Sequence, residues 1–247
     1  MAVEITSPAN PQIKQARRLR ERRVREATGR FLIEGWREVA RAQGAGMVFD
    51  AFYFAGDPGE GADLAEAIEV APRVMARLAV RERGVVAVAR IPERPLAALP
   101  RPPRPVYLVA DGVEKPGNLG ALLRSADGAG VDGVIVCGGT DLWNPNVVRA
   151  SLGTCFTVPV AVAEPEEAIG WLGELPIVVA TPEAEQLYSE AALWGAIVVG
   201  REDAGVSSVW RETATRAVRI PMRGMADSLN VAQTATLLAY TALATDG

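Results

Sequence analysis

Short, unbroken runs of apolar residues recur along the second half of the chain, each flanked by Gly, Pro or polar residues. Such runs predict the strands of a parallel sheet that is buried on both faces. The predicted strands cover residues 106–110, 133–137, 156–160, 177–180, 197–199 and 218–220. The intervening composition predicts helices near 118–129, 144–151 and 165–172, and an Ala- and Leu-rich last helix from Asn230 to about Thr245, with Ser228 as its expected N-cap.

The first part of the chain has a less regular pattern, which predicts a smaller α/β unit. The pattern indicates a basic helix at 11–26, a strand at 31–34, a helix at 37–43, a strand at 51–55, helical periodicity at 62–79 and a closing strand at 85–89. This part contains no recognisable catalytic motif. We therefore expect the chemistry to lie in the second part.

A proline-rich segment separates the two parts. Residues 91–105 contain six prolines in fifteen positions, which is too many for a helix or a central strand. Such a segment is typical of a semi-rigid linker. The sequence therefore predicts a first domain at 1–90, a linker at 91–105 and a second domain at 106–247.

Composition narrows the class of protein. Hydrophobic residues make up 49% of the 247 residues and charged residues 23%, which is enough for a sizeable core. No apolar run approaches the roughly 18 residues needed to cross a bilayer, and the first residues lack the apolar stretch of a secretion signal. These features predict a soluble, cytoplasmic protein without a membrane partner.

The chain has no histidine, which excludes His-based catalytic triads, His metal sites and a His general base. Its two cysteines, Cys137 and Cys155, lie in apolar surroundings. The sequence leaves their separation open but favours two buried free thiols over a disulfide. Two cysteines are also too few for a Cys-based zinc site, so no metal is predicted.

Charge is distributed unevenly along the chain. The net charge is −4, yet residues 10–30 contain eight basic and two acidic residues, a local charge of +6. An acidic protein with one basic segment is expected to bind nucleic acid through that segment, and a plain solvated helix face is the alternative. The arginines Arg17, Arg18, Arg20, Arg22, Arg23 and Arg25 cannot all lie on one helix face, so some are expected to meet phosphates and others protein.

Three segments of the second part follow predicted strands and carry Gly or Pro together with polar residues: 110–130, 198–207 and 219–235. Loops at the carboxyl ends of parallel strands commonly build ligand sites. There is no G-x-G-x-x-G fingerprint and no Lys-Ser/Thr after a glycine loop, so NAD and ATP sites are not predicted. Taken singly, each segment is better explained as a turn or a helix cap than as part of a functional site. Asp111 and Asp227 are interpreted as solvated acids.

Taken together, the three segments resemble the three motifs of the SpoU (TrmH-like) branch of the SPOUT RNA 2′-O-ribose methyltransferases. Three sets of residues match these motifs: Asn118, Gly120 and Arg124; Gly200, Glu202 and Gly205; and Ile220, Pro221, Gly224, Ser228, Leu229 and Asn230. The stretch Arg149-Ala150-Ser151-Leu152-Gly153 resembles a further segment of that family. The opening SPANPQIK and the later GRFLIEGWREV resemble a substrate-binding extension found in one subgroup.

The resemblance implies a fold that the residue pattern alone does not reveal. It implies a C-terminal parallel α/β domain with a trefoil knot, a smaller N-terminal α/β domain similar to ribosomal L30e, and a homodimer with the active site at its interface. The implied methyl donor is S-adenosyl-L-methionine. Residues expected to contact it are Gly138, Gly200, Ile220, Pro221 and Leu229.

The implied catalytic residues are Asn118, Arg124, Glu202, Ser228 and Asn230, and RNA contacts are expected from Arg17, Arg18, Arg22, Arg25 and Arg149. The ordinary pKa of an arginine side chain lies far above 7, so keeping one neutral as a base at pH 7 would cost roughly 9 kcal/mol. We therefore expect Arg124 to act as a fixed cation that holds a phosphate and stabilises the developing alkoxide. Its alternative role as a base stays open.

Asn118 is expected to hold the ribose or the Arg124 side chain. Glu202 is expected to pair with Arg124 or with a cation of a partner chain. Lys115 and Asn146 depart from the family pattern, because Asp or Asn is common at the first position and Lys at the second.

The resemblance favours large-subunit ribosomal RNA as substrate, with housekeeping modification and resistance to thiostrepton-type antibiotics both open. A SPOUT enzyme that methylates a base and a nonenzymatic RNA-binding relative are the alternatives. The Asn118, Arg124, Ser228 and Asn230 set favours ribose, and intact candidate site residues argue against a protein that has lost activity.

Overall fold

The computed structural model describes residues 4–57, 64, 66–80 and 84–244, and their contacts divide into two units. The first comprises Met1–Glu93 together with Trp143–Thr157, and the second comprises Arg94–Leu142 and Val158–Gly247. The segment 143–157 thus packs with the N-terminal residues although it lies within the second half of the sequence. Below, each unit is described by itself.

The first unit is a four-stranded sheet with helices on its faces. Its elements in chain order are α1 (Pro11–Arg18), α2 (Arg22–Thr28), β1 (Arg30–Glu34), α3 (Trp36–Gly44), β2 (Phe49–Ala55), β3 (Ile68–Glu69), α4 (Pro72–Leu78) and β4 (Gly84–Arg90). The strand order is β1-β4-β2-β3, with β4 antiparallel to both β1 and β2, and β3 parallel to β2.

The two faces of this sheet are covered differently. One face packs against α1 and α4 through residues such as Ile13, Tyr53 and Met75. On the other face, Phe31 is buried and its ring lies 4.8 Å from that of Trp143 and 6.2 Å from that of Phe156, measured between ring centroids. Segment 143–157 therefore contributes to the core of the first unit.

The second unit is a six-stranded parallel sheet of the type predicted from the apolar runs. Its strands lie in the order β10-β8-β9-β5-β6-β7, and the paired strands run parallel. The remaining elements of the chain are β5 (Val106–Asp111), α5 (Pro116–Ala129), β6 (Gly133–Cys137), α6 (Pro145–Ala150, in the first unit), β7 (Val160–Val162), α7 (Pro165–Leu172), β8 (Ile177–Ala180), β9 (Gly195–Val199), α8 (Ser208–Thr213), β10 (Arg216–Val218) and α9 (Val231–Ala244).

From Arg94 onward, the proline-rich segment is anchored to the second unit. Leu99 is buried, and the Tyr107 hydroxyl donates a hydrogen bond to the Pro100 carbonyl. The Arg101 guanidinium lies 4.6 Å from the centroid of the Trp171 ring and donates to the Trp171 carbonyl at 3.0 Å. This cation–π pair and these hydrogen bonds hold the segment against the side of the sheet that carries α7.

Several predicted elements need correction. The helix expected at 11–26 is two helices, because α1 ends at Arg18 and α2 begins at Arg22. The helical pattern at 62–79 contains the strand β3, with α4 only from Pro72; its residues 62, 63 and 65 lie outside the described residues. The strand expected at 156–160 begins only at Val160, after a turn of 3₁₀-helix over Thr154–Phe156.

Near the C-terminus, the strand expected at 218–220 is β10, Arg216–Val218, and the short helix α8 was not predicted. The last helix is capped by Asn230 and not by Ser228. The Asn230 side-chain oxygen accepts a hydrogen bond from the Ala232 backbone N–H at 2.9 Å, and the helix begins at Val231. This geometry is that of an N-cap, which satisfies an otherwise unpaired amide.

No helix among the described residues is long and apolar enough to span a membrane. The same part of the chain contains no group of three or more His, Cys, Asp or Glu side chains arranged to hold a metal ion. Cys137 and Cys155 are both free and buried. Burial, followed by the negative charges of Asp111, Glu164 and Glu166, raises the pKa of the Cys137 thiol to about 12, so this sulfur stays protonated at neutral pH.

Candidate active site

A cavity of about 440 Å³ lies at the carboxyl ends of β8, β9 and β10, where three loops converge. The loops follow β8, β9 and β10, and the last of them leads into α9. Parallel strands bring their carboxyl ends to one edge of a sheet, which explains why residues far apart in sequence meet here. The lining includes Gly200, Ile220 and Leu229, three of the residues expected to contact a methyl donor.

The other two expected donor contacts are not part of this lining. Neither Pro221 nor Gly138 is among the described residues that line this cavity. Gly138 is exposed after β6 with a positive φ of 63°, and its neighbour Gly139 packs directly on the Gly112–Val113 backbone. The residues after β6 therefore support the loop after β5, and Ser228, Asp227 and Glu202 join the lining instead.

Three of the expected catalytic residues form a continuous chain of hydrogen bonds. The Asn230 side-chain amide donates to the Asn118 side-chain oxygen at 3.1 Å, and the Asn118 amide donates to the Glu202 carboxylate. Asn118 lies in the first turn of α5, Glu202 in the loop after β9 and Asn230 immediately before α9. The structure thus joins one residue from each of the three sequence segments.

Lys115 also belongs to this cluster. Its Nζ lies 3.9 Å from the Glu202 carboxylate, and its side chain is 70% exposed. The expectation that Glu202 pairs with Arg124 is wrong within this chain, because its partners are Asn118 and Lys115. An ion pair this exposed contributes little to stability, so the ammonium group of Lys115 remains available to a ligand.

Arg124 stands apart from the cluster. It is exposed on α5 and, within the described residues, makes no ion pair or side-chain hydrogen bond. Six residues separate it from Asn118, which on a helix is about 9 Å along the axis and about 120° around it. The side chains of Arg124 and Asn118 therefore point in different directions.

The loop after β9 is held closed by its own backbone. Arg201 and Gly205 exchange hydrogen bonds, each amide donating to the other carbonyl at 3.0 Å. Gly205 has a positive φ of 68°, and a Cβ atom at Gly200 would overlap the Gly205 carbonyl. Both glycines of this segment are thus required by geometry: one for its conformation, the other for the close approach.

Ion pairs stiffen the outer side of this loop. The Arg201 guanidinium pairs with Glu114 at 3.0 Å and with Asp203 at 3.1 Å. The hydrogen bond and charge of Asp203, with the charge of Glu114, raise the pKa of Arg201, and the hydrogen bond from Arg201 lowers the pKa of Asp203. Arg201 and Asp203 therefore stay charged at neutral pH, and the pairs of Arg201 with Glu114 and Asp203 link the loops after β5 and β9.

Asp111 is a residue whose role the sequence did not reveal. Read as a solvated acid, it is in fact buried, 5% exposed, at the end of β5. Its carboxylate accepts a hydrogen bond from the Ser207 backbone N–H at 2.7 Å. A buried carboxylate requires such a donor, and this bond fixes the far end of the 200–207 loop. Its position directly at the end of a predicted strand was the available signal.

The arginines of the basic segment have different environments. Arg17 and Arg18 are exposed, and Arg22 pairs with Glu26 at 2.7 Å on the surface. Arg25 is 1% exposed, and one of its nitrogens donates to the carbonyls of Leu19 and Arg20, both at 2.8 Å. The expectation that Arg25 contacts RNA is therefore wrong; it closes the turn between α1 and α2.

Arg20 also meets protein, since its guanidinium donates to the Leu78 carbonyl at 2.8 Å. Arg149, the last of the expected RNA contacts, lies on α6 and donates to the Asn146 side-chain oxygen at 2.9 Å. It is exposed. Arg17, Arg18, Arg22 and Arg149 thus remain on the surface.

Family models match both parts of this chain. The model of the SpoU rRNA Methylase family matches residues 105–240, and that of the MRM3-like substrate binding domain matches residues 10–89. The 23S rRNA (guanosine(2553)-2′-O)-methyltransferase RlmP of Bacillus subtilis strain 168 is 30% identical over 250 residues, which cover 96% of this chain and 98% of the relative.

Two solved structures are similar over nearly the whole chain. The crystal structure of an RNA 2′-O ribose methyltransferase has a TM-score of 0.86 at 44% identity and covers 99% of both chains. The SpoU methyltransferase AviRb from Streptomyces viridochromogenes, in complex with the cofactor AdoMet, has a TM-score of 0.86 at 27% identity and covers 96% of this chain and 98% of that one. The chain belongs to the SpoU rRNA methylase family.

Proposed function

We propose that this protein transfers a methyl group from S-adenosyl-L-methionine to a ribose 2′-hydroxyl of RNA, and that its substrate is large-subunit ribosomal RNA. The observation that carries the proposal is the hydrogen-bonded chain Asn230–Asn118–Glu202. Glu202 also lines the cavity beside it, so polar groups suited to a ribose adjoin a space suited to a donor. The printed activities of the relatives support the same reaction.

The cavity fits the donor in size and charge. At about 440 Å³ it falls within the usual range for small-molecule sites, roughly 300–1,000 Å³. Ile220 and Leu229 offer apolar walls for a purine ring. Its charged lining residues are the acids Glu183, Glu202, Asp203 and Asp227 and the arginines Arg201 and Arg211. This excess of negative charge suits a molecule that carries a sulfonium and an ammonium group.

The donor supplies a methyl group that is already electrophilic, so this chain's residues have to orient the ribose and assist the loss of one proton. The amides of Asn118 and Asn230 both donate and accept hydrogen bonds, which suits a hydroxyl group. In this proposal, Glu202 fixes the orientation of the Asn118 amide. Arg124 stays cationic, binds the phosphate of the target nucleotide and stabilises the developing alkoxide.

We propose a homodimer in which Arg124 of one chain completes the site of the other. Its distance from Asn118 along α5, and its freedom from partners within the described residues, support this arrangement. Family resemblance adds the trefoil knot in the second unit and an L30e-like fold in the first. The N-terminal residues 1–90 would select the RNA and residues 106–247 would carry out the transfer, in the cytoplasm where ribosomal RNA is found.

Mapping of 2′-O-methyl groups in ribosomal RNA, with and without the gene, tests the proposal. We expect one ribose methylation to disappear with the gene and to return with the purified protein and S-adenosyl-L-methionine. Mass analysis of the product nucleoside distinguishes methylation of ribose from methylation of a base, and the latter would contradict the proposal. A titration that detects no donor binding would favour a nonenzymatic RNA-binding protein.

A further inference from the structure

A second cavity, of about 710 Å³, lies in the first unit beside α1 and α2. Its floor is apolar and comes from Ala51 and Tyr53 of β2, Val88 of β4, and Ala16 and Leu19 at the end of α1. Ala51 and Val88 are register partners on neighbouring strands. They therefore lie side by side on one face of the sheet.

The local fold explains why this part of the sheet is open. The neighbouring strand β3 has only two residues and pairs with β2 at Tyr53 and Phe54 alone, so within the described part of the chain no strand lies beside the preceding residues of β2 on that side. Above the sheet, the break between α1 and α2 interrupts the helical cover. The recess lies beside this break, with lining residues from the end of α1 and from α2.

The rim of the recess is polar and carries an excess of positive charge. Gln12, Gln15 and Arg18 contribute from α1, and Arg30 and Asp50 from the strands. The Asp50 carboxylate accepts hydrogen bonds from Arg30 at 2.5 Å and, on its other oxygen, from Arg90 at 2.8 Å. Arg90 lies outside the lining, so within the recess Asp50 offsets the charge of Arg30 and Arg18 provides the excess positive charge.

We propose that this recess receives an unpaired nucleobase of the RNA substrate, with its flanking phosphates at Arg18 and Arg30. The inference rests on the proposed RNA substrate and names the place in the first unit that binds it. A base offers two apolar faces and a polar edge, which match the floor and the glutamine amides. A free anion would make no use of the apolar floor, and an apolar peptide none of the arginines.

The recess also predicts the form of RNA that it recognises. A base in a duplex is stacked on both faces and paired at its edge, so it cannot enter. We therefore expect binding of single-stranded or looped RNA to depend on the recess, and binding of duplex RNA to be independent of it. The electrostatic attraction of the surrounding arginines acts on both forms.

Filling the recess in the full-length protein tests the proposal. Ala51→Phe introduces a strand-compatible aromatic ring at a half-buried position that lines it. We expect this variant to bind a short single-stranded RNA of mixed sequence about tenfold more weakly, to keep its affinity for the duplex form, and to keep the salt dependence of binding. The matched control is Ala27→Phe, at an exposed position of α2 outside the recess, which should bind as the parent does.

A second pair of variants separates the recess from general charge attraction. Arg18 lines the recess and Arg17, its exposed neighbour on α1, does not. We expect Arg18→Gln to reduce affinity for the single strand several-fold more than Arg17→Gln, and to reduce the salt slope by up to about 0.7. Equal losses in the two variants would overturn the proposal even if Ala51→Phe failed to fold.

Unchanged single-strand affinity in a folded Ala51→Phe protein would likewise overturn it. Titration with S-adenosyl-L-methionine keeps this outcome distinct from failure of the proposed function, since donor binding lies in the second unit and should be normal in every variant. If Ala51→Phe bound RNA normally but no longer methylated assembled ribosomal particles, the recess would belong to a protein partner, and the nucleobase proposal would be wrong.

Discussion

A mixture of two inactive variants should regain activity if Arg124 serves the site of a second chain. Asn118 and Arg124 lie on the same helix, α5, separated by about 9 Å along its axis and about 120° around it. Within the described residues, the Asn118 side chain hydrogen-bonds to Glu202 and Asn230 and makes no such bond with Arg124. Each substitution alone, Arg124→Ala or Asn118→Ala, is therefore expected to inactivate one half of a composite site.

In a mixed dimer, one site loses both groups and the other retains both. Random exchange of chains makes about half of the dimers mixed, and each mixed dimer has one intact site, so the mixture should recover about a quarter of the activity of the parent protein. The assay is transfer of a radiolabelled methyl group to ribosomal RNA after the two variants have been unfolded and refolded together. Native mass spectrometry verifies that mixed dimers form.

The control pairs two variants from the same half of the site. Asn118 and Glu202 are hydrogen-bonded within one chain, so Asn118→Ala mixed with Glu202→Ala should recover nothing. Absence of recovery with Arg124→Ala, although mixed dimers are present, would refute the composite site. A fully active monomer in light scattering would refute it more directly.

Three further substitutions test local geometry. Gly200→Ala should weaken binding of S-adenosyl-L-methionine at least about tenfold, because the new Cβ would overlap the backbone of the loop that lines the cavity. The control Gly224→Ala has open space around the new Cβ and should bind the donor as the parent protein does. Calorimetric titration measures both affinities. Arg25→Ala should lower the free energy of unfolding, measured by urea denaturation, by about 2–4 kcal/mol, because two backbone carbonyls lose a charged donor. The control Arg23→Ala removes a side chain that is 82% exposed and should change this free energy by less than about 0.5 kcal/mol. Burial raises the pKa of Asp50, but its two arginine partners outweigh burial and hold the pKa below its ordinary 3.8. The stabilisation by ionised Asp50 is thus complete above pH 3.8 and is lost as the pH falls through the lower pKa of the folded state. Asp50→Asn should lower the free energy of unfolding by at most about 1 kcal/mol at pH 7 and should flatten its dependence on pH below 3.8. An unchanged pH dependence of stability below 3.8 would contradict this.

Much of the second unit could be predicted because its signals are local. The apolar runs at 133–137 and 177–180 coincide with β6 and β8, since strands buried on both faces leave no polar position to blur the pattern. The resemblance to the three motifs of the SpoU family likewise implied that Asn118, Glu202 and Asn230 belong together. The chain of hydrogen bonds that joins them lies at the edge where the strands end.

The errors arise where tertiary contacts decide. Residues 11–26 have good helix formers throughout, and the break at Leu19–Glu21 depends on the buried Arg25 side chain, which local propensity does not reveal. The same applies to Asp111, whose burial follows from the loop packed over it. The position of segment 143–157 in the first unit's core has no signal in the periodicity of that segment.

The distribution of charge bears on how this chain could bind both a cationic methyl donor and an anionic RNA. The cavity of the second unit is lined by more acids than arginines, which suits a cationic donor but repels the phosphates of RNA. In the proposed function, the phosphates of RNA are attracted elsewhere on the protein, and the exposed arginines of α1 are expected to provide that attraction, with loss of affinity at high salt. General attraction of this kind does not orient one ribose at the cavity, so the proposed reaction also requires a cation close to the reacting oxygen. In the proposed homodimer, Arg124 of the second chain supplies that cation. The acidic donor cavity and the composite site are thus separate parts of the proposal, and they are tested separately, by donor binding and by recovery of activity in mixed dimers.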